Sequence, residues 1–163
     1  MMRRQMQRLD RLIKDSRHDV YRVKGKLKNG TQCERCGACY INGRWTWEDS
    51  KEVKRKIVCA ACRRIEDGYP AGYIEIKGEF YRLRREEIMN MIRNVEQQHK
   101  AGHPMERILR VVEGSNNCAM VETTGVRLAR RIGETLQRAY QGDYDFQYNK
   151  NDDRIRVYWQ RDA

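Results

Sequence analysis

The sequence predicts an α+β protein, on three observations. Two segments repeat their apolar residues with the 3.6-residue period of a helix. Several short runs alternate with period two, as half-buried strands do. Two C-x2-C pairs lie ahead of both patterns. The expected architecture is an N-terminal basic arm, a small zinc ribbon, and an α-ββ-α-ββ domain with an antiparallel sheet and its helices on one face.

The arm is expected over residues 1–32. It carries ten Lys/Arg against three Asp/Glu, while the other 131 residues carry 24 against 20. Most of the net charge of +11 therefore sits at the N-terminus. Met6, Leu9, Leu12 and Ile13 fall near helical spacing, but a helix this short is marginal without packing. Tyr21–Gly30 is basic and broken by glycine, which reads as a linker.

The ribbon is expected over 33–66. Gly43–Trp47 alternates like a strand, and Lys56–Cys59 is its expected hairpin partner. A turn over Asp67–Gly72 leads into a connecting strand, Tyr73–Tyr81, within 67–83. The α+β domain occupies 84–163. Ile88, Met91, Ile92 and Val95 mark a helix that ends near Gly102. Arg107–Gly114 and Cys118–Thr124 read as two strands. Thr123 or Thr124 is placed to cap a second helix, Val126 to Gln141, whose stripe is Leu128, Ile132, Leu136 and Ala139. Tyr144–Tyr148 and Arg154–Trp159 form a closing hairpin.

Cys33, Cys36, Cys59 and Cys62 are the candidate metal ligands. Each pair presents two thiolates from one tight knuckle, and 22 residues separate the pairs. The expected cofactor is Zn2+, with iron as the competing ion. Four protein thiolates close the shell, so the site reads as structural. Cys39 makes CERCGAC a three-thiol segment and can replace Cys36 as ligand. Cys118 reads as a small core residue. His99 and His103 read as a helix end and a turn, although their spacing also suits a metal.

Phosphate-loop, dinucleotide, nucleophile-elbow and HExxH motifs are absent from the sequence. The chain is therefore expected to be no enzyme and to take no small-molecule substrate. It has no run of 18 apolar residues and no apolar leader, so no membrane partner is expected and the cytoplasm is the default.

A charge of +11 points to a polyanion, RNA first. Candidate contacts lie in two groups. Arg35, Arg44, Lys54, Arg55, Lys56, Arg63 and Arg64 surround the knuckles, with Trp45 and Trp47 among them. Arg127, Arg130, Arg131 and Arg138 lie off the apolar stripe of the second helix. A DNA-binding regulator or nucleoid factor is the alternative, and a thiol redox sensor using Cys39 or Cys118 is a second one.

The knuckles, the RRIEDGYPAGYIEIKGEF stretch and the tail TTGVRLARRIGETLQRAYQGDYDFQYNKNDDRIRVYWQR resemble a family of short uncharacterised bacterial zinc-ribbon proteins. More distantly, the arrangement is similar to the N-terminal part of the Nmd-three family, adaptors of the large ribosomal subunit. The resemblance spans Cys33 to Arg161. It implies metal ligation by Cys33, Cys36, Cys59 and Cys62, and contact with the ribosome; within the RNA hypothesis the expected role is rRNA binding as an idle-ribosome or subunit quality-control factor. The longer family has more cysteines and further domains, so the likeness does not extend to an adaptor role.

Overall fold

The computed structural model describes residue 21 and residues 27–115, 117–149 and 153–163. The helix expected near the N-terminus lies outside the described residues. The rest is a mixed α+β structure of two sheets and four helices.

The first sheet holds β1 (Thr31–Cys33), β2 (Cys39–Ile41), β3 (Arg44–Thr46) and β4 (Arg55–Ile57), in the order β3-β2-β1-β4. Thr31 and Gln32, placed in the arm by their charge context, belong to β1. The strand expected around Trp45 does form, but its hairpin partner is β2. The segment at Lys56 instead pairs parallel with β1. The second cysteine pair then opens helix α1 (Ala60–Asp67). The unit is thus a knuckle, a hairpin and a helix N-terminus, where a zinc ribbon with Gly43–Trp47 and Lys56–Cys59 as its hairpin was expected. The reason is local: Cys59 is the N-cap, and its sulfur accepts from the Cys62 N–H.

The second sheet is five-stranded, in the order β6-β7-β5-β9-β8. Its strands are β5 (Gly72–Lys77), β6 (Ile108–Gly114), β7 (Cys118–Thr123), β8 (Asp143–Asn149) and β9 (Arg154–Gln160). Strand β5 was expected as a connector and lies at the centre. It pairs antiparallel with β7 and parallel with β9, so the sheet is mixed and not antiparallel. Alternation explains the place of β5. Ile74 and Ile76 are fully buried on the face that meets the helices, which agrees with an inner position.

Helices α2 (Glu79–Leu83), α3 (Arg85–Gly102) and α4 (Val126–Tyr140) bury their apolar sides on that same face. Ile88, Ile92 and Val95 of α3 and Leu128, Ile132 and Leu136 of α4 meet Ile74, Ile76, Val121, Val157 and Trp159. Helices on one face were expected, and this core bears that out. Ala139 is exposed, however; Ala129 and Gly133 complete the stripe. A Cβ on Gly133 would sit 2.5 Å from Val157 Cγ1, so glycine there lets α4 lie close against β9.

Neither threonine caps α4. Thr123 donates to the Gly125 carbonyl and Thr124 to that of Met105. The cap comes from a distance: Glu106 Oε1 accepts from the Leu128 N–H at 2.9 Å. No helix among the described residues is long and apolar enough to cross a membrane.

Candidate metal centre

Local geometry delivers four sulfurs to one point. Cys33 ends β1, and the chain turns sharply over Cys36 and Gly37. Gly37 has φ 80°, a left-handed conformation that glycine adopts without strain, and its N–H closes the turn onto the Cys33 carbonyl at 3.1 Å. Cys59 and Cys62 lie at the start of α1, where the helix dipole favours negative charge.

The Cys33 and Cys62 sulfurs are 3.8 Å apart, as are those of Cys36 and Cys59. All four lie within 4.8 Å of one another. A tetrahedral ion bound at about 2.3 Å holds its sulfurs about 3.8 Å apart. The residues therefore fit a metal ion in size, number and arrangement. Cys33, Cys59 and Cys62 are buried and Cys36 is half-buried, so the ion would be screened from solvent. Backbone N–H groups are already aimed at the sulfurs, that of Cys59 at Cys33 Sγ (3.3 Å) and that of Cys62 at Cys59 Sγ (3.4 Å).

The thiols divide in acidity. The hydrogen bond from Cys59 is the largest influence on Cys36 and, with the Ala38 backbone N–H and the charge of Arg107, pulls its thiol down to about 4. Cys59 is pushed up by the same bond and by burial. Burial also raises Cys62, against the opposing pull of Arg107. Thiols packed this closely share protons until a cation replaces them.

Cys39 is fully buried but stands apart from the cluster; its sulfur faces the Gly37 carbonyl at 3.6 Å. Cys36, and not Cys39, belongs with the other three. Cys118 is half-buried at the first position of β7, outside the core, with its sulfur on the Ser115 carbonyl.

Arg107 was not singled out by sequence reasoning. It is buried at the threshold of β6 and reaches back to the cluster. Its Nη1 lies 3.3 Å from Cys62 Sγ, and its Nη2 lies 3.1 Å from Cys36 Sγ and 3.5 Å from Cys59 Sγ. Its Nε donates to the Pro104 carbonyl at 2.8 Å. Thr124 holds its backbone in place, accepting from the Arg107 N–H through Oγ1 and donating its own N–H to the Arg107 carbonyl, both at 2.8 Å. Four thiolates around a divalent ion leave a charge of −2. A buried guanidinium neutralises half of it and satisfies sulfur lone pairs. No spacing rule points to Arg107, since it is 45 residues from Cys62.

The aromatic neighbours are also committed. Trp45 packs on the cysteine cluster and meets Tyr40 edge-on, with ring centroids 5.6 Å apart. Trp47 donates to the Lys100 carbonyl at 2.8 Å and lies under both Lys100 and Arg107. Both rings serve packing around the cluster.

The cations expected around the knuckles are dispersed. Arg64 is buried and donates to the Tyr69 carbonyl. Arg63 donates to the Tyr21 carbonyl, and Arg35 pairs with Glu66. Arg44 on β3 and Lys54, Arg55 and Lys56 at β4 are exposed at opposite edges of the first sheet, roughly 14 Å apart across three strand spacings. On α4, Arg127 and Arg138 are exposed. Arg130 pairs with Glu134 and covers Phe146, and Arg131 turns toward His99.

His99, His103 and Glu106 form a second group of potential ligands. The ligand atoms of His99 and Glu106 are already used. Arg131 Nη1 faces His99 Nδ1 at 3.2 Å, which leaves Nε2–H to donate to Glu106 Oε2 at 3.1 Å. The other Glu106 oxygen caps α4. His103 is the C-cap of α3, its ring stacked on His99 with centroids 4.5 Å apart. This network ties α3 to α4, and a cation beside His99 opposes a metal there. The reading of these histidines as a helix end agrees with it.

No family model, no curated protein and no solved structure matches the chain.

Proposed function

We propose that this chain is a non-enzymatic zinc protein that binds RNA, with rRNA on the ribosome as its partner. The observation that carries the metal half is the four-sulfur cluster, whose 3.8 Å spacings suit a closed tetrahedral ion. Zinc suits it best: it needs no redox partner and accepts four thiolates as a structural ion. The observation behind RNA is the charge of +11, with exposed cations on both sheets and on α4. The distant likeness of the sequence to the N-terminal part of the Nmd-three family points the same way.

When bound, zinc would join β1, the knuckle and α1 through Cys33, Cys36, Cys59 and Cys62. The chain's own part is to supply backbone N–H groups and Arg107 to the sulfurs. No coordination position is left for a substrate, so the site stabilises and does not catalyse.

Two measurements test the proposal. Elemental analysis of protein purified under reducing conditions should give one zinc per chain; iron in its place would replace the cofactor. Sucrose-gradient sedimentation of the tagged protein in low salt should place it with ribosomal particles, and release by salt should follow. Protein that stays at the top of the gradient, and binds no RNA in filter assays, would overturn the RNA reading.

A further inference from the structure

The two C-x2-C pairs do not present four equal sulfurs. Cys33, Cys59 and Cys62 are at most 7% exposed, whereas Cys36 is half-buried. Chain path explains the difference. Cys33 ends β1, and Cys59 and Cys62 lie at the start of α1, each within a packed element. Cys36 lies on the turn between β1 and β2. A Cβ built on the adjacent Gly37 would meet none of the described residues within 4 Å.

A second sulfur and a cation stand against the Cys36 sulfur. Cys59 Sγ lies 3.8 Å from it. Arg107 Nη2 lies 3.1 Å from Cys36 Sγ and 3.5 Å from Cys59 Sγ. Selective oxidation of cysteine favours this combination: a thiolate that is not fully buried, an electropositive setting and a neighbouring thiol. The two cysteines outside the cluster each lack part of it. Cys118 is half-buried, but its sulfur rests on the Ser115 carbonyl at 3.1 Å, apart from the other thiols. Cys39 is fully buried, and its sulfur faces the Gly37 carbonyl.

We propose that Cys36 is an oxidation site, at which hydrogen peroxide closes a Cys36–Cys59 disulfide and releases the zinc ion. This rests on the zinc reading above and adds a chemical fate for the same site. A metal-bound sulfur is already a thiolate. The Cys36 thiolate attacks one oxygen of the peroxide; the O–O bond breaks, hydroxide leaves, and Cys36 becomes a sulfenic acid. The Cys59 thiolate then attacks that sulfur, the S–S bond forms, and a second hydroxide leaves. Two electrons pass from the two sulfurs to the peroxide, and the hydroxides take protons from solvent. Closure draws the sulfurs from 3.8 Å to about 2.05 Å. Cys33 and Cys62 are left as ligands, and two thiolates do not complete a tetrahedral shell. Reduction of the disulfide restores all four.

The test uses the full-length zinc-loaded protein, hydrogen peroxide and a chromophoric zinc chelator. Zinc is measured before oxidation: protein that holds none as purified overturns the zinc reading and this proposal with it. Otherwise the release rate should rise in proportion to peroxide, with one disulfide formed for each zinc freed. Dithiothreitol and added zinc should then restore the bound ion. Tryptic mapping after alkylation of the remaining thiols locates the disulfide. Cleavage after Arg35 separates Cys33 from Cys36, and in Cys39→Ala the peptide 36–44 carries the Cys36 thiol alone. That peptide should be joined to 57–63, and fragmentation should place the bond on Cys59. The double variant Cys39→Ala, Cys118→Ala should release zinc at the native rate; resistance to peroxide would mean that oxidation starts at one of those thiols, and the proposal is wrong. A first disulfide that omits Cys36 or joins it to another thiol, or zinc that stays bound while Cys118 is oxidised, overturns the proposal and leaves the zinc site standing.

Discussion

Arg107 carries the most consequence of the residues around the metal centre that are not themselves candidate ligands. It is 7% exposed, touches three of the four sulfurs and has its backbone fixed by Thr124. Its replacement leaves a tetrathiolate charge buried without a cation, and loss of such an outer partner lowers metal affinity about 10–100-fold. Arg107→Gln should therefore bind zinc that much more weakly in competition with a chromophoric chelator. An unchanged affinity would show that solvent, and not the guanidinium, balances the sulfurs. The cysteines make a sharper contrast. Cys39→Ala should keep one zinc per chain by elemental analysis, because Cys39 lies off the cluster; Cys36→Ala should lose it. Proton release follows from the acidities. Cys59 and Cys62, whose thiols are pushed up, hold protons at neutral pH until the ion displaces them. Zinc affinity therefore falls as pH falls, and calorimetry in buffers of different ionisation enthalpy should register protons released on loading.

At the scale of elements, helix α4 shows how local and distant choices combine. Its apolar stripe was legible, since Leu128, Ile132 and Leu136 repeat at helical spacing and all three are fully buried. Ala139 carries the right chemistry for that stripe but is exposed, while Tyr140 beside it packs on the core. Gly133 was not legible as a contact residue, because nothing in its neighbours says that β9 passes beneath it. Gly133→Ala would raise intrinsic helix propensity by about 1 kcal/mol. A methyl 2.5 Å from the stiff Val157 side chain costs more, about 1–3 kcal/mol as overpacking. The expected net effect is a lower denaturation midpoint in urea. A rise would mean that the helix shifts outward freely. The cap tells the same story. Thr123 and Thr124 are good capping residues by type, yet both are drawn into contacts with Gly125, Met105 and Arg107. Glu106 takes over from another segment, and no sequence rule for caps looks 22 residues away.

Across the whole molecule, two sheets meet through a few committed side chains. Arg107 and Trp47 link the cysteine cluster to the end of α3 and the start of β6. The larger sheet has its own core from Ile74 to Trp159, while among the described residues the smaller cluster holds its cysteines and Ala61 with Trp45, Val58 and Met105 packed on it. A bound ion would therefore supply much of the folding energy of the smaller unit. Chelation should expose Trp45 and Trp47, shifting fluorescence to the red, and should speed amide exchange over residues 30–67. The amides of Ile74, Ile92 and Leu128 should stay protected. Uniform loss of protection would show that the two units unfold as one.

The sequence by itself determined most of the elements over residues 84–163 and their order; it read Tyr73–Tyr81 as one strand, where β5 ends at Lys77 and a helix begins at Glu79, and it missed the helix Ala60–Asp67. Periods of two and 3.6 residues are properties of neighbouring positions, and so is a C-x2-C knuckle. That is why the helices over Arg85–Gly102 and Val126–Tyr140, the hairpin of β8 and β9, and the four cysteines could all be read from it. Only the tertiary structure decided which strands meet. It placed β5 at the centre, parallel to β9, paired β4 with β1 and brought Arg107 to the sulfurs. These are contacts between residues far apart in the chain. They are set by the total burial of apolar area and by the pairing of buried charge, sums that no local window contains.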